Sequence, residues 1–336
     1  MPESLAVLIP VRDGAGFLPA ALESVLAEPG GFECLVVDDG SRDGTPEILE
    51  RFAARDARVR VIRGPRRGIA AALGAGLHAT DAALVARLDA DDLVVPGRFE
   101  RQQAFLARHP EVLAVGGAAE LIDAGGRPFG TVRYPVRPEE IARALLEGEP
   151  ALAHPAVTFR REAVLAAGGY RAALAPAEDL DLWLRLAERG PLANLDDVVV
   201  RYRVHPGQSG AARAGHQVRA ALAARALAAR RRRGEPEPMP PAGGWDDTAL
   251  ASLGIDADAI RASTRDALLG QADLQRRAGY SREATALARE ALVHDDGRAR
   301  RRVLRALARC AWQARRPVTA LRALLGAGLA GPERAS

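Results

Sequence analysis

LAVLIPV (Leu5–Val11), CLVVDDG (34–40), VRVIRG (59–64) and ALVARLDADD (83–92) are short runs of aliphatic, often β-branched residues, and their spacing decides the fold. Apolar runs of this length next to turn residues read as buried strands. Segments with apolar residues at helical spacing lie between them: 17–27, with Leu18, Leu22, Val25 and Leu26, then 45–54 and 68–80. Strands alternating with helices of about 10–15 residues are βαβ units, so an α/β domain with a mainly parallel sheet is expected. The second and fourth runs end in acids, Asp38-Asp39 and Asp89-Ala90-Asp91-Asp92. Ligands of parallel α/β sheets sit beyond the carboxyl ends of the strands, which puts both acidic groups on one rim.

Outward from this core, 97–109 reads as a helix, 112–115 as a strand and 120–134 as a hairpin turning at 124–128. Helices are expected over 138–147, 161–167 and 178–188, and strands over 157–159 and 198–204. The 178–188 helix carries Leu180, Trp183, Leu184 and Ala187 on one stripe, which makes Trp183 a core residue. The pattern then changes. Residues 211–233 form an alanine- and arginine-rich basic helix, 234–244 (GEPEPMPPAGG) a Pro/Gly linker, and 245–336 a helical region with segments 260–278, 282–294, 298–315 and 317–325. The piece AGYSREATALAREAL within it resembles the turn and second helix of a tetratricopeptide hairpin.

With 336 residues, 48% of them hydrophobic, the chain can bury a large core and is not a disordered one. No stretch reaches the roughly 18 uninterrupted apolar residues of a membrane span. The first residues lack the basic n-region of a signal peptide, so a cytoplasmic protein is expected. Cys34 and Cys310 stand far apart and suggest neither a disulfide framework nor a zinc site. All 47 basic residues are arginine, which excludes a Schiff-base lysine, and with it pyridoxal chemistry, and a Walker-type phosphate lysine. Residues 1–210 hold 24 arginines against 30 acids, and the remainder 23 against 13, so an acidic front half precedes a basic tail.

The acids carry the chemistry. A carboxylate at the end of the second strand can accept hydrogen bonds from a nucleobase N–H or ribose hydroxyls, although DDGSRDGT is also good turn chemistry. Three carboxylates within residues 89–92 repel one another in a partly buried cleft. Mn²⁺ or Mg²⁺ would remove that repulsion, binding through one or two carboxylates plus substrate phosphates and neutralising a departing diphosphate.

VLIPVRDGAGFLPAALESVL, ECLVVDDGSRDGTPEIL, RRGIAAALGAGLHAT and LVARLDADDLVVPGRFERQ resemble, in that order, the bacterial family 2 glycosyltransferases of GT-A fold. HPAVTFRREAVLAAGGY, EDLDLWLRLAERG and YRVHPGQSG continue the series, so the resemblance covers about residues 4–210. It implies a GT-A catalytic domain over 1–210: a mixed, mainly parallel sheet flanked by helices, followed by an all-α accessory region. It also implies roles by position. Pro10, Arg12 and Asp13 line the nucleotide pocket, Asp39 contacts the base, uracil first, and Asp38 orients that loop. Asp89-Ala90-Asp91 is the DxD element beside the nucleotide-sugar, with Asp91 or Asp92 the direct metal ligand, a choice that spacing leaves open. Asp179, next to Glu178, is the general base that takes the acceptor hydroxyl's proton as that oxygen displaces the nucleotide with inversion. His205 approaches the metal or the diphosphate, and His154 lines the acceptor side. Arg66 and Arg67 precede the Gly68 turn, where a guanidinium suits a passing diphosphate.

The chain departs from the family at Arg12, where an aromatic often stacks on the base, and at Asp13 and Gly74, where Asn is frequent. No QxxRW element of the processive synthases follows Asp179. The partners so implied are a nucleotide-diphospho-sugar, UDP-linked first, and a hydroxyl-bearing glycan or lipid-linked acceptor. Arg230–Arg233 suggests peripheral contact with an anionic membrane surface, and no nucleic acid is expected, since no aromatic platform accompanies the run. Two alternatives are a catalytically inactive nucleotide-sugar scaffold and a sugar-phosphate nucleotidylyltransferase, whose usual catalytic lysine is missing here.

Overall fold

Strand β1 (Leu5–Val11) is buried along its whole length and is the axis of the molecule. A computed structural model describes residues 3–208, 211–241, 244–295 and 300–313. β1 pairs in parallel with β2 (Glu33–Asp38) and with β4 (Leu84–Arg87), and β3 (Val59–Arg63) pairs in parallel with β2. The register sets Val11 opposite Asp38 and Leu8 opposite Arg87, so the acidic ends of β2 and β4 do face one rim.

Beyond β4 the sheet changes direction. β8 (Thr158–Arg160) runs antiparallel between β4 and β6 (Ala114–Ile122), and β9 (Leu192–Arg203) lies parallel to β6 on its other side. The order is β3-β2-β1-β4-β8-β6-β9-β5, where β5 is Leu93–Val94, and β7 (Pro128–Val132) pairs with β6. The sheet is mixed, with its parallel half formed by the first ninety residues.

Alternate side chains of β1 feed two layers, as a pleated strand requires. Val7 and Ile9 pack with α1 (Leu18–Leu26), α2 (Thr45–Arg55) and α4 (Arg98–Arg108), through Leu22, Leu49 and Phe99 among others. Leu8 packs the other way, with Leu73 and Leu77 of α3 (Ile69–His78), Ile141 of α5 (Pro138–Glu147) and Trp183 of α7 (Glu178–Ala187). α6 (Arg161–Ala166) follows β8. Trp183 is core, as its stripe indicates.

The helical region is welded to this second layer. α8 (Ala211–Arg232) contributes Ala223, Ala224 and Leu227 to the same core, as do Trp245, Leu250 of α9 (Asp247–Ser252) and Ile260 of α10 (Ala257–Arg277). Asp246 and Asp256 cap α9 and α10 by accepting the N–H groups of Ala249 and Ala259. A smaller core joins α10 to α11 (Ser281–Val293) and α12 (Arg300–Gln313) through Leu268, Leu287 and Val303. Residues 234–241 have no regular structure, yet Glu237 there pairs with Arg171 and Arg231. The expected 317–325 helix lies outside the described residues. No described helix is long and apolar enough to cross a membrane.

Three strands differ from their sequence signal. The fourth run stops at Arg87, leaving its acids to a turn. β6 extends to Ile122 through AVGGAAELI, whose small residues give little strand signal. They are small because β9 lies close: a Cβ on Gly117 would stand 2.7 Å from Val199 Cγ2. β9 begins six residues before the expected 198, because its register steps from Leu195 to Val198 and so leaves Asp196 and Asp197 unpaired with β6.

Candidate functional site

At the mouth of β1 and β2 the carboxylates build loops. Asp38 Oδ1 accepts the N–H groups of Gly40 (3.2 Å) and Ser41 (2.8 Å), which turns the chain at a left-handed Gly40. Asp13, itself at φ 54°, stitches this turn to the β1 loop: its Oδ1 accepts Arg42 N–H at 2.7 Å and its N–H donates to Ser41 Oγ at 2.9 Å. Asp39 is buried and pins a different loop, accepting Arg66 N–H on Oδ1 (2.6 Å) and Gly68 N–H on Oδ2 (2.8 Å). Each Asp39 oxygen keeps a further lone pair.

The turn after β4 collects Asp89, Asp91 and Asp92. One carboxylate oxygen from each lies within 4.8 Å of the others. Asp89 is paired with Arg87, an arginine buried to 2% exposure. Burial raises the Asp89 carboxyl above its ordinary range, Arg87 opposes that, and Asp91 adds to it. Asp91 Oδ2 accepts from Gln208 Nε2 at 2.9 Å and faces His205 Nε2 at 3.0 Å, so that nitrogen carries the proton when Asp91 is ionised. Burial works against the charged form of Asp91, but the His205 and Gln208 bonds outweigh it and hold the carboxyl low. Asp92 is fully buried; Oδ1 accepts Arg203 N–H at 2.7 Å and Oδ2 has no hydrogen-bond partner among the described residues. Burial, then Asp91 and Asp89, push it well up. Hard oxygen donors converging with an orphaned buried carboxylate oxygen fit a small divalent cation.

A second acidic pair opens α7. Glu178 is buried with Oε2 unpartnered among the described residues, and burial followed by the Asp179 charge pushes its carboxyl up to about 7. Asp179 is one-third exposed; its Oδ1 accepts Leu180 N–H at 2.7 Å, and its Oδ2 stands 4.0 Å from His154 Nδ1. Burial raises Asp179 as well, against the Leu180 bond and the Arg87 charge. His154 is buried, hydrogen-bonds Tyr170 Oη through Nε2 at 2.9 Å, and is kept neutral by burial and then by Arg87. Arg87 therefore acts electrostatically on both acidic groups, while its Nε and Nη1 have no partner among the described residues. Below it Arg98, fully buried, donates to the carbonyls of Pro155, Arg87 and Val157, and burial and then Arg87 bring it down to about 9.

A cavity of about 540 Å³ opens over this rim. Pro10, Arg12, Asp13, Asp39, Asp89, Asp91 and His205 all line it. Asp38 and Asp92 stand behind it as supports, and Glu178 and Asp179 are likewise outside its lining. Arg67 is exposed and does not reach it; Gly68 supplies that wall, because the Asp39 bonds turn backbone rather than side chain inward. Residues that sequence reasoning missed complete it: Phe17, whose ring meets His205 at 4.7 Å, Tyr202, Gln208, and Arg213, Gln217, Gln271 and Leu274 from α8 and α10. Gln208 had a local signal, three residues after His205; Arg213 and Gln271 had none. In the basic run, Arg230 and Arg233 pair with Glu235, and Arg231 with Glu188 and Glu237.

Residues 6–166 match the family model described as Glycosyl transferase family 2. An uncharacterized glycosyltransferase of Haemophilus influenzae is 30% identical over 226 residues, 66% of this chain and 82% of that protein. The amylovoran biosynthesis glycosyltransferase AmsE of Erwinia amylovora is 35% identical over 170 residues, 50% of this chain and 63% of that protein. Among solved structures, mannosyltransferase PcManGT of Pyrobaculum calidifontis, in complex with GDP-Man and Mn²⁺, superposes with a TM-score of 0.55 at 21% identity, covering 95% of this chain and 88% of the other. Residues 1–349 of TarS from S. aureus give a TM-score of 0.53 at 15% identity, covering 97% and 91%. These neighbours have the GT-A fold, and so does this chain.

Proposed function

The chain belongs to glycosyl transferase family 2, and from that premise we propose a metal-dependent, inverting transfer of a sugar from a nucleotide-diphospho-sugar to a hydroxyl of a glycan or lipid-linked acceptor. The observation that carries the reading is one cavity lined at once by Asp39 from the end of β2 and by Asp89 and Asp91 from the end of β4. The 1–210 segment forms the catalytic unit.

Asp39, fixed by Arg66 and Gly68, offers its remaining lone pairs to the base, with Pro10, Arg12 and Asp13 around it. Asp91, Asp89 and Asp92 would hold Mn²⁺ or Mg²⁺, with Asp91 the main ligand because it lines the cavity whereas Asp92 is buried behind it. A cation held there would supply positive charge against that of a departing diphosphate. His205 orients Asp91 through Nε2 and lines the cavity beside it. Asp179 accepts the acceptor's proton, and its raised carboxyl makes it a stronger base than a solvated aspartate. Glu178, up at about 7, holds its proton about half the time at neutrality, which lessens the repulsion on an ionised Asp179.

A nucleotide-sugar donor agrees with the GDP-Man of PcManGT and with the UDP-GlcNAc of a further TarS complex, and a polysaccharide acceptor with amylovoran biosynthesis. Membrane contact through Arg230–Arg233 is not part of this reading, since three of those arginines are spent on nearby acids. The test is a thermal-shift screen of UDP-, GDP- and dTDP-sugars with Mn²⁺, followed by product analysis with the donor that binds. An inverted anomeric centre in the product is expected. A retained one would refute the inverting mechanism, and binding without turnover against any hydroxyl acceptor or water would refute the enzyme reading and favour the inactive scaffold.

A further inference from the structure

The cations that the sequence offers for a diphosphate are mostly committed elsewhere. Arg87 is buried against Asp89. Arg203 donates to the carbonyls of Asp91, Asp123 and Ala124. Arg66 and Arg67 do not line the cavity. Two arginines do line it, Arg12 and Arg213. Arg12 stands 3.9 Å from Asp13, at the nucleotide end. Arg213 lies in the first turn of α8, is exposed, and has no ion pair or hydrogen bond among the described residues. Its charge is felt at Asp89, on the metal side of the cavity.

The wall that carries Arg213 is polar where a core would be apolar. Gln217, one helical turn on, lines the same cavity, as does Gln271 of α10, whose Oε1 is buried without a partner among the described residues. α10 is also tied to the site's floor, since Gln275 Nε2 donates to His205 O at 3.2 Å and Tyr280 Oη, just past the helix, accepts Ala124 N–H at 2.8 Å. An uncommitted guanidinium that lines one cavity with a carboxylate cluster gains most when a dianion lies between them.

We propose that the helical region completes the donor site, with Arg213 as the guanidinium that binds the diphosphate opposite Asp89 and Asp91. This rests on the nucleotide-sugar reading above. The region thereby becomes part of the transferase and not an appended module: α8 and α10 must be seated for the diphosphate to be held.

The test is calorimetric binding of UDP, GDP and the matching nucleosides to the full chain, with Mn²⁺ and again in EDTA, for wild type and Arg213→Gln. The expected result is a loss of about tenfold or more in diphosphate affinity, nucleoside affinity unchanged, and a loss that shrinks at high salt. Arg213→Lys, which keeps charge without the fork, should fall between. Equal diphosphate affinity in wild type and Arg213→Gln overturns the assignment and leaves the donor reading intact. A parallel loss of nucleoside affinity, or a lowered unfolding temperature, makes Arg213 structural and also overturns it. Wild type that binds neither diphosphate overturns both.

Discussion

The two acidic groups that flank Arg87 are the same chemistry in opposite surroundings. Asp89, Asp91 and Asp92 are each held, by a buried arginine, by His205 and Gln208, and by the Arg203 backbone, so three carboxylates stand together. Glu178 and Asp179 have the Leu180 N–H bonded to Asp179 and a neutral His154 beside them. The first arrangement keeps Asp91 anionic and low while burial pushes its neighbours Asp89 and Asp92 up. The second lifts both carboxyls, as proton acceptance requires. Groups whose surroundings push their proton affinities apart are how one site runs two tasks.

The sharpest way to break this contrast is Asp179→Asn. The amide keeps the shape and cannot take a proton, so kcat should fall about 10³-fold while Kd for the nucleotide-sugar stays within about twofold. Retained turnover would remove Asp179 from the base role and return the second acidic pair to mere helix-terminus pairing. Next comes Arg87→Met, which fills similar space and deletes the charge both groups feel. It leaves Asp89 beside Asp91 and Asp92 without its ion-pair partner, and should cost about 3 kcal/mol of unfolding free energy, measured in urea at pH 8 without metal. Saturating Mn²⁺ should restore part of it, since the cation takes over that charge. Wild-type stability would mean that the acids do not depend on Arg87.

The acidic rim was legible because its signal is local: an apolar run, then acids, at the end of a strand that its neighbours make parallel. Arg87 was not. An arginine inside LVARL reads as one more strand residue, and only the fold reveals that it is buried between two sets of carboxylates. Arg67 stands outside the cavity lining, since the loop's direction is set by Asp39 at the end of another strand. β6 was half-seen because its glycines answer to β9, a contact no window of sequence contains. Arg213 and Gln271 lie outside the recognisable motifs, on helices whose patterns report packing alone.

Asp91→Ala against Asp92→Ala sharpens the contrast within the first group. Asp91 lines the cavity, so its loss should weaken Mn²⁺-dependent binding of UDP or GDP by about 50-fold in calorimetry and barely change the unfolding temperature. Asp92 holds the β9 backbone, so its loss should lower the unfolding temperature as well. Reversed phenotypes would make Asp92 the principal ligand and Asp91 the support.

The smallest effect concerns Glu178 and is read as a slope. Its carboxyl sits at about 7 in the fold against an ordinary 4.5, so between those pH values the folded chain holds a proton that the unfolded chain has released. That term therefore favours folding at low pH, fades as pH rises toward 7, and is absent above it. In EDTA, wild type should lose about 2 kcal/mol from this group between pH 5 and pH 8, and Glu178→Gln, which cannot titrate, should lack that part of the slope. The amide also offers an N–H₂ where Oε2 now lacks a partner, so the absolute stability of the variant is uninformative and the difference in slope is the measurement. Parallel slopes would mean that Glu178 is solvated and ionised at neutrality. The second acidic group would then carry two charges beside the acceptor, and Asp179 would owe its basicity to that repulsion more than to burial.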